Sequence, residues 1–372
     1  MSFFSILLYA LAAVAGIQII CYLLIYSRFV FARAKKTSVT NTPVSVLVCA
    51  KNEAKELEQF LPSILSQNHT NFEIVLINDV SYDNTFEIME AFAEKHACIK
   101  LVNVKNNEAF WGNKKYALTL GIKAATHENL LFINANSKPV SLNWITEMCA
   151  QLNLNSKKTV VLGYSAYNKV KHSVLNKFIR FDHLIKSIQY MSFAKTGMPY
   201  VGVSENLAYT KKHFFDANGF MSHMDIKKSE HALFINQTAT KRNTSAVFSK
   251  NSFTSTVAPK SLKSWTTKKR QYTYIAKHFK LIHKFVLALI YSTGFLFWLL
   301  AILLISLQYN WEIVAAIIAS RIVVQYIVLG IGAKKLNELD LIIFIPFLEI
   351  FLILFQFVIF ITNASSKPKH WK

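Results

Sequence analysis

Hydrophobic positions along this chain form runs of two kinds. Four are long and almost unbroken: Phe3 to Tyr26, Phe285 to Leu307, Trp311 to Leu329 and Leu341 to Ile361. The first holds roughly 24 residues, about 36 Å as a helix, enough to cross a bilayer. Between residues 43 and 260 the runs are short. VSVLVCA, FEIVLIND, IKLVNV and ENLLFIN are β-branched stretches that read as strands buried on both faces. ELEQFLPSIL, NTFEIMEAFAEKH and KKYALTLGIKAA stand between them with helical spacing. This alternation predicts a doubly wound α/β domain, with a ligand crevice beyond the carboxyl ends of the strands. Polar residues stand at those ends: Lys51-Asn52-Glu53, Asn78-Asp79 and Asn134-Ala135-Asn136.

The pattern divides the chain into an N-terminal transmembrane helix (1–27), an α/β domain (43–260), a basic aromatic stretch (261–284), further transmembrane helices (285–362) and a basic tail (363–372). Residues 261–284 mix Lys, Arg and His with Trp265, Tyr272, Tyr274 and Phe279, a composition suited to an interfacial amphipathic helix. A plain solvated helix is the alternative. Arg28, Arg33, Lys35 and Lys36 follow the first span, which places the next domain in the cytoplasm. In a cleaved signal peptide the charge would precede the apolar run. Four crossings put both termini outside, yet the tail KPKHWK is basic. One C-terminal run, the last with Pro346 and Glu349, is therefore expected to be re-entrant or interfacial. Arg321 and Glu349 fall inside apolar segments, where an unpaired charge costs roughly 2.5–3.5 kcal/mol. They are expected to pair across neighbouring helices, with an ion path as the alternative.

Composition sharpens this picture. Hydrophobic residues make up 52% of the 372 and charged residues 17%, too apolar for an ordinary soluble domain. The formal net charge of +21 suits an anionic lipid surface or phosphate-bearing ligands. No zinc-finger or homeodomain spacing and no Arg-rich tail points to nucleic acid. Cys21, Cys49, Cys98 and Cys149 are scattered, with no CxxC, and read as small reduced hydrophobes.

The ordered set VSVLVCAKNE, EIVLINDVSYDNT, WGNKKYALTLGI, LLFINANSKPVS and GFMSHMDIKKSEHALFINQ resembles the family 2 glycosyltransferases, over residues 43 to about 275. The resemblance implies an α/β GT-A (Rossmann-like) domain and a nucleotide-sugar donor. With its flanking spans the chain looks like the membrane-bound bacterial members that build polysaccharides or lipid-linked glycans. That implies a multi-pass protein of the inner (cytoplasmic) membrane with its main domain cytosolic. Its partners would be the lipid bilayer, a nucleotide or nucleotide-sugar and other glycan-assembly membrane proteins, with no nucleic acid. The nucleotide site would comprise Asn52, Glu53, Asp79, Gly112, Lys114 and Lys115. A carboxylate at a strand end can accept bonds from a base or ribose, and two ammonium groups suit a diphosphate.

Several family motifs are altered. Members use D-x-D to hold Mg²⁺ or Mn²⁺ against the donor diphosphate, because hard cations need anionic oxygens. Here the positions are Asn134 and Asn136, so a Mg²⁺ or Mn²⁺ would be held weakly at most. The acidic cluster carrying the catalytic base reads Ser229-Glu230-His231-Ala232. Glu230 or His231 can serve as base, or the stretch is simply a polar helix start. The Q-x-x-R-W-like motif that clamps acceptor or diphosphate falls on Lys268, Arg270 and Gln271, with Lys and Gln displacing the usual pattern. Gly202-Val203-Ser204-Glu205-Asn206 stands where related members have G-x-G-R-N, and Asn78 replaces the first acid of a D-D-G-S-like turn. Together these changes imply a catalytically weak or inactive member. An active transferase using lysines in place of a tightly held metal is the alternative.

Overall fold

The computed structural model describes residues 2–34, 41–105, 114–152 and 157–366. They group into two units. One comprises Arg33–Lys169 and Gly197–Ala258, and the other Met1–Ala32, Val170–Thr196 and Pro259–Lys372.

The first unit is built on strands β1 (Val44–Ala50), β2 (Phe72–Asn78), β3 (Ile99–Asn103), β4 (Asn129–Asn134), β5 (Ser137–Pro139), β6 (Val160–Leu162), β7 (Ser165–Tyr167), β8 (Leu207–Thr210), β9 (Thr244–Ala246) and β10 (Thr254–Thr256). The main sheet runs β3-β2-β1-β4-β8-β6-β9. All seven residues of β1 are buried, as an uninterrupted apolar run in a central strand requires. β1 pairs in parallel with β2 and β4, and β2 with β3. The predicted parallel half is therefore present. Beyond β4 the sheet is mixed, because β8 enters antiparallel between β4 and β6. β5, β10 and β7 form a small second sheet. Helices Ala54–Leu65, Thr85–Lys95 and Lys114–Ala124 make the crossovers. At Gly121 a Cβ would meet Ile77 Cδ1 at 2.1 Å, so only glycine lets that last helix lie this close to β2.

The other unit is helical. Among the described residues, four of its segments are long and apolar enough to cross a membrane: Phe3–Val30, Leu281–Ser306, Trp311–Lys335 and Leu339–Ser365. The last begins with a 3-10 turn at Leu339–Phe344, and Pro346 sits in the first turn of the following helix, where its missing N–H leaves no bond unmade. Helix Val174–Thr196 lies within the predicted 43–260 domain, yet it groups with this unit. Arg321, fully buried, forms a two-point ion pair with Glu349 at 2.5 and 2.7 Å. It also donates to Gln18 at 2.7 Å and Gln325 at 2.8 Å. The expected pairing is present, and four of the five N–H donors of the guanidinium are used. Helix Leu262–Ala276, predicted as interfacial, packs Trp265 on Phe355 at 4.7 Å and buries Lys269 against Asp182 at 2.8 Å. Two lysines beside Asp182 hold its carboxyl below the carboxylate range despite burial.

Candidate active site at the carboxyl ends of the parallel strands

Register aligns the ends of three adjacent strands. Ala50 stands opposite Asn78, and Cys49 opposite Asn134. The chain leaves β1 toward β2 on one side, and β4 lies on the other. This is a topological switch point, where such sheets bind ligands. The polar residues predicted for the site therefore converge from three strand ends.

The turns after β1 and β2 are interlocked. Asn52 adopts a left-handed conformation (φ 55°), which Asn tolerates. Its N–H donates to Ser81 Oγ at 3.1 Å, and its Oδ1 accepts from the Tyr82 N–H at 2.8 Å. Glu53 N–H donates to Thr85 Oγ1 at 2.9 Å. Val80 is also left-handed (φ 53°), a conformation a β-branched residue rarely adopts. Asn78, the amide in place of an acid, donates to Asn103 Oδ1 at 2.9 Å and accepts from Ser81 N–H at 3.1 Å. A carboxylate could not donate to Asn103, so this amide now has a structural task.

Asp79 is 6% exposed, and among the described residues nothing donates a hydrogen bond to its carboxylate. Burial raises its pKa, and Lys51 and Lys114 offset this only in part. Glu53 is raised likewise by burial, opposed mainly by Lys114. Burial works against the Lys114 ammonium, but Cys49, Glu230, Glu53 and Glu205 outweigh it and raise its pKa. Lys114 thus stays charged amid carboxylates from several elements. Its neighbour Lys115 also feels Glu230, but its ammonium is fixed on the backbone. It is fully buried, and its Nζ donates to the carbonyl of Ile226, holding the loop before helix Glu230–Thr238. Gly112 lies outside the described residues.

Asn134 and Asn136 flank buried Ala135. Asn136 is tied to β10, its Oδ1 accepting from Thr256 Oγ1 at 3.3 Å. For Asn134 the described residues supply no side-chain partner. Neutral amide oxygens are weak ligands for a hard divalent cation, and among the described residues no group of three His, Cys, Asp or Glu could hold a metal. The residues present do not fit a tightly bound Mg²⁺ or Mn²⁺.

Glu230 opens the helix Glu230–Thr238 and is electrostatically coupled to Lys114, Lys115 and Asp79. His231 turns into an aromatic cluster, 4.7 Å from Phe132 and 5.9 Å from Tyr209 between ring centres. Burial, then Lys114, lowers its pKa to about 3, so it is neutral and a poor base near neutrality. Of the two base candidates, Glu230 is the one that interacts with Asp79 as well as with Lys114, while His231 packs among aromatic rings. Asn206 is a buried clamp that accepts from Trp144 Nε1 at 3.0 Å and donates to the carbonyls of Tyr164 and Ser252, both at 2.7 Å. The Lys268, Arg270 and Gln271 triplet belongs to the helical unit. There Arg270 donates to Asn363 Oδ1 at 2.9 Å and to Ser366, Lys268 is exposed and Gln271 is half-buried. Lys51, read only as a polar residue at a strand end, acts on Asp79, and Glu205, read only as the acid in a G-x-G-R-N-like loop, acts on Lys114; the sequence assigned a nucleotide-site role to neither.

Residues 45–194 match the family model "Glycosyl transferase family 2". A poly-β-1,6-N-acetyl-D-glucosamine synthase of Staphylococcus epidermidis is 31% identical over 112 residues, 30% of this chain and 26% of that protein. A 4,4'-diaponeurosporenoate glycosyltransferase of Staphylococcus haemolyticus is 32% identical over 128 residues, 34% of this chain and 33% of that protein. The matched part thus spans about a quarter to a third of these relatives. Among solved structures, the mannosyltransferase PcManGT of Pyrobaculum calidifontis, in complex with GDP-Man and Mn²⁺, superposes with a TM-score of 0.63. That likeness covers 98% of this chain and 99% of that one at 16% identity, and it establishes the fold alone.

Proposed function

We propose, from the premise that the α/β domain of this chain is a family 2 glycosyltransferase domain of GT-A fold, that the protein binds a nucleotide or nucleotide-sugar at the crevice and is catalytically weak or inactive. It would act in envelope glycan or lipid-linked sugar assembly, with other membrane proteins of that process as partners. The observation that carries this reading is the Asn134-Ala135-Asn136 turn. It stands at the strand end where a donor diphosphate and its metal would be held, with no negative charge to hold the metal. The undonated carboxylate of Asp79 supports nucleotide binding, because a base N–H or ribose hydroxyl would satisfy it. An inner-membrane, multi-pass placement with the α/β domain cytosolic is supported by four spans and by Arg28 and Arg33 after the first.

Lys114 favours a second reading. An ammonium kept charged beside Glu230 and Glu53 can stabilise negative charge on a departing diphosphate without a metal. Glu230 would then take the acceptor proton. Release of nucleoside diphosphate from a panel of nucleotide-sugars distinguishes the readings, using the full chain with membranes, with and without EDTA. The first reading predicts no release above that of Glu230→Gln. Release that Glu230→Gln abolishes and EDTA leaves intact establishes the second. Release that EDTA abolishes overturns both.

A further inference from the structure

The turn that leads into β8 carries a carboxylate with no task in the proposed function. Glu205 lies in this turn, where the Asn206 N–H donates to the Val203 carbonyl at 3.1 Å. β8 runs antiparallel beside β4 with Leu207 opposite Phe132, so the turn stands at the end of the sheet where β4 delivers Asn134. Its backbone is pinned. Thr254 Oγ1 donates to the Glu205 carbonyl at 2.9 Å, and the next residue is the buried Asn206 clamp. The Glu205 side chain is half-buried, and among the described residues its carboxylate has no hydrogen bond and no ion pair.

What Glu205 acts on is Lys114, an ammonium shared by Glu230, Glu53 and Glu205 from separate elements. Glu53 also accepts from the Lys51 N–H at 3.4 Å, and Glu230 also acts on Asp79 and Lys115. Glu205 has neither engagement. Carboxylates outnumber ammonium groups here: Glu53, Asp79, Glu205 and Glu230 stand against Lys51 and Lys114, since the Lys115 ammonium is fixed on the Ile226 carbonyl. A diphosphate entering this crevice meets a cation that is already compensated, with like charge beside it. Like charges brought together in a binding site cost affinity and so select among ligands. We infer that Glu205 is a specificity-determining residue, which competes with a ligand's diphosphate for Lys114 and tilts the crevice toward ligands of lower negative charge. This deepens the nucleotide reading and rests on it.

Glu205→Gln keeps the size of the side chain and removes its charge. Calorimetric titration into the detergent-purified full chain, with and without Mn²⁺, compares UDP and GDP with uridine and guanosine. The variant should bind a diphosphate about fivefold or more tighter than the parent, with the matching nucleoside changed by less than about twofold. In the Lys114→Met background the same substitution should gain less than it does in the parent, because the shared cation is gone. Unchanged diphosphate affinity overturns the inference. So does an equal shift for diphosphate and nucleoside, which would mark a structural effect, or an equal gain in both backgrounds, which would mean that Lys114 is not involved. Weaker binding in the variant, seen only with Mn²⁺, would make Glu205 a metal ligand and also overturns it. No binding of any of the four compounds to parent or variant overturns the nucleotide reading itself, and this inference with it.

Discussion

Replacing Asp79 with Asn separates what this residue does for the fold from what it does for a ligand. The carboxylate is 6% exposed and receives no hydrogen bond from the described residues. Its pKa is raised above the ordinary 3.8, since burial outweighs the attraction of Lys51 and Lys114. An acid whose folded pKa exceeds its unfolded one stabilises the fold when protonated. That contribution is complete below about 3.8 and is lost as pH rises through the folded pKa. At pH 7 the charge is a liability, so Asp79→Asn should be at least as stable as the parent. Its stability should also fall less as pH rises above about 3.8. Binding should respond in the opposite sense. Hydrogen bonds to a charged acceptor contribute about 1.5–3 kcal/mol, and their loss corresponds to roughly 10- to 150-fold in Kd. Denaturant unfolding at several pH values and titration with a nucleoside diphosphate at pH 7 read the two effects on one preparation. A variant that is less stable but binds with unchanged affinity would show Asp79 to be a framework residue, and the reasoning would fail.

Other consequences can be checked as directly. Glu349→Leu strands the fully buried Arg321 and should cost about 3–5 kcal/mol in detergent unfolding, and Arg321→Met in the same chain should recover most of it. Asn134→Asp with Asn136→Asp supplies two anionic oxygens without removing the acceptor that Thr256 uses, so Mn²⁺ should tighten nucleoside diphosphate binding in this variant by at least tenfold. Lys114→Met should weaken diphosphate binding by about tenfold or more. Lys115→Met should leave affinity within about threefold and instead lower stability by about 1–3 kcal/mol, because it orphans the Ile226 carbonyl.

Much of the fold could be read from pattern, because continuous apolar runs have few places to go. Val44–Ala50 and Asn129–Asn134 are central strands for the reason their sequences suggest: both faces are covered. The four long apolar helices were equally legible, as was the pairing of Arg321 with Glu349, since an unpaired charge there is so unfavourable. Helix Val174–Thr196 was not. It carries Arg180, Asp182 and Lys186, so it lacks the apolar signature of a span. Its grouping with the helical unit rests on long-range pairs such as Arg180 with Glu338 and Asp182 with Lys269. The antiparallel entry of Leu207–Thr210 was hidden too, because four residues carry no direction signal. At the site, strand ends announced Asn52, Glu53, Asp79, Asn134 and Asn136. Side-chain direction was beyond the sequence. Adjacent Lys114 and Lys115 read as one diphosphate pair, yet one faces carboxylates of the crevice and the other is buried on a carbonyl. Glu230 and His231 diverge in the same way, because neighbouring residues on a helix point about 100° apart.

The most direct test of the central claim is calorimetric titration of UDP, then GDP, into the detergent-purified full chain, with and without Mn²⁺. A nucleotide crevice without a competent metal site predicts binding of at least one nucleotide, with a Kd that Mn²⁺ changes by less than about threefold. Tightening by tenfold or more, about 1.4 kcal/mol, would mean that Asn134 and Asn136 still support a metal-bound donor. Such a result, or no binding of either nucleotide, would contradict the account.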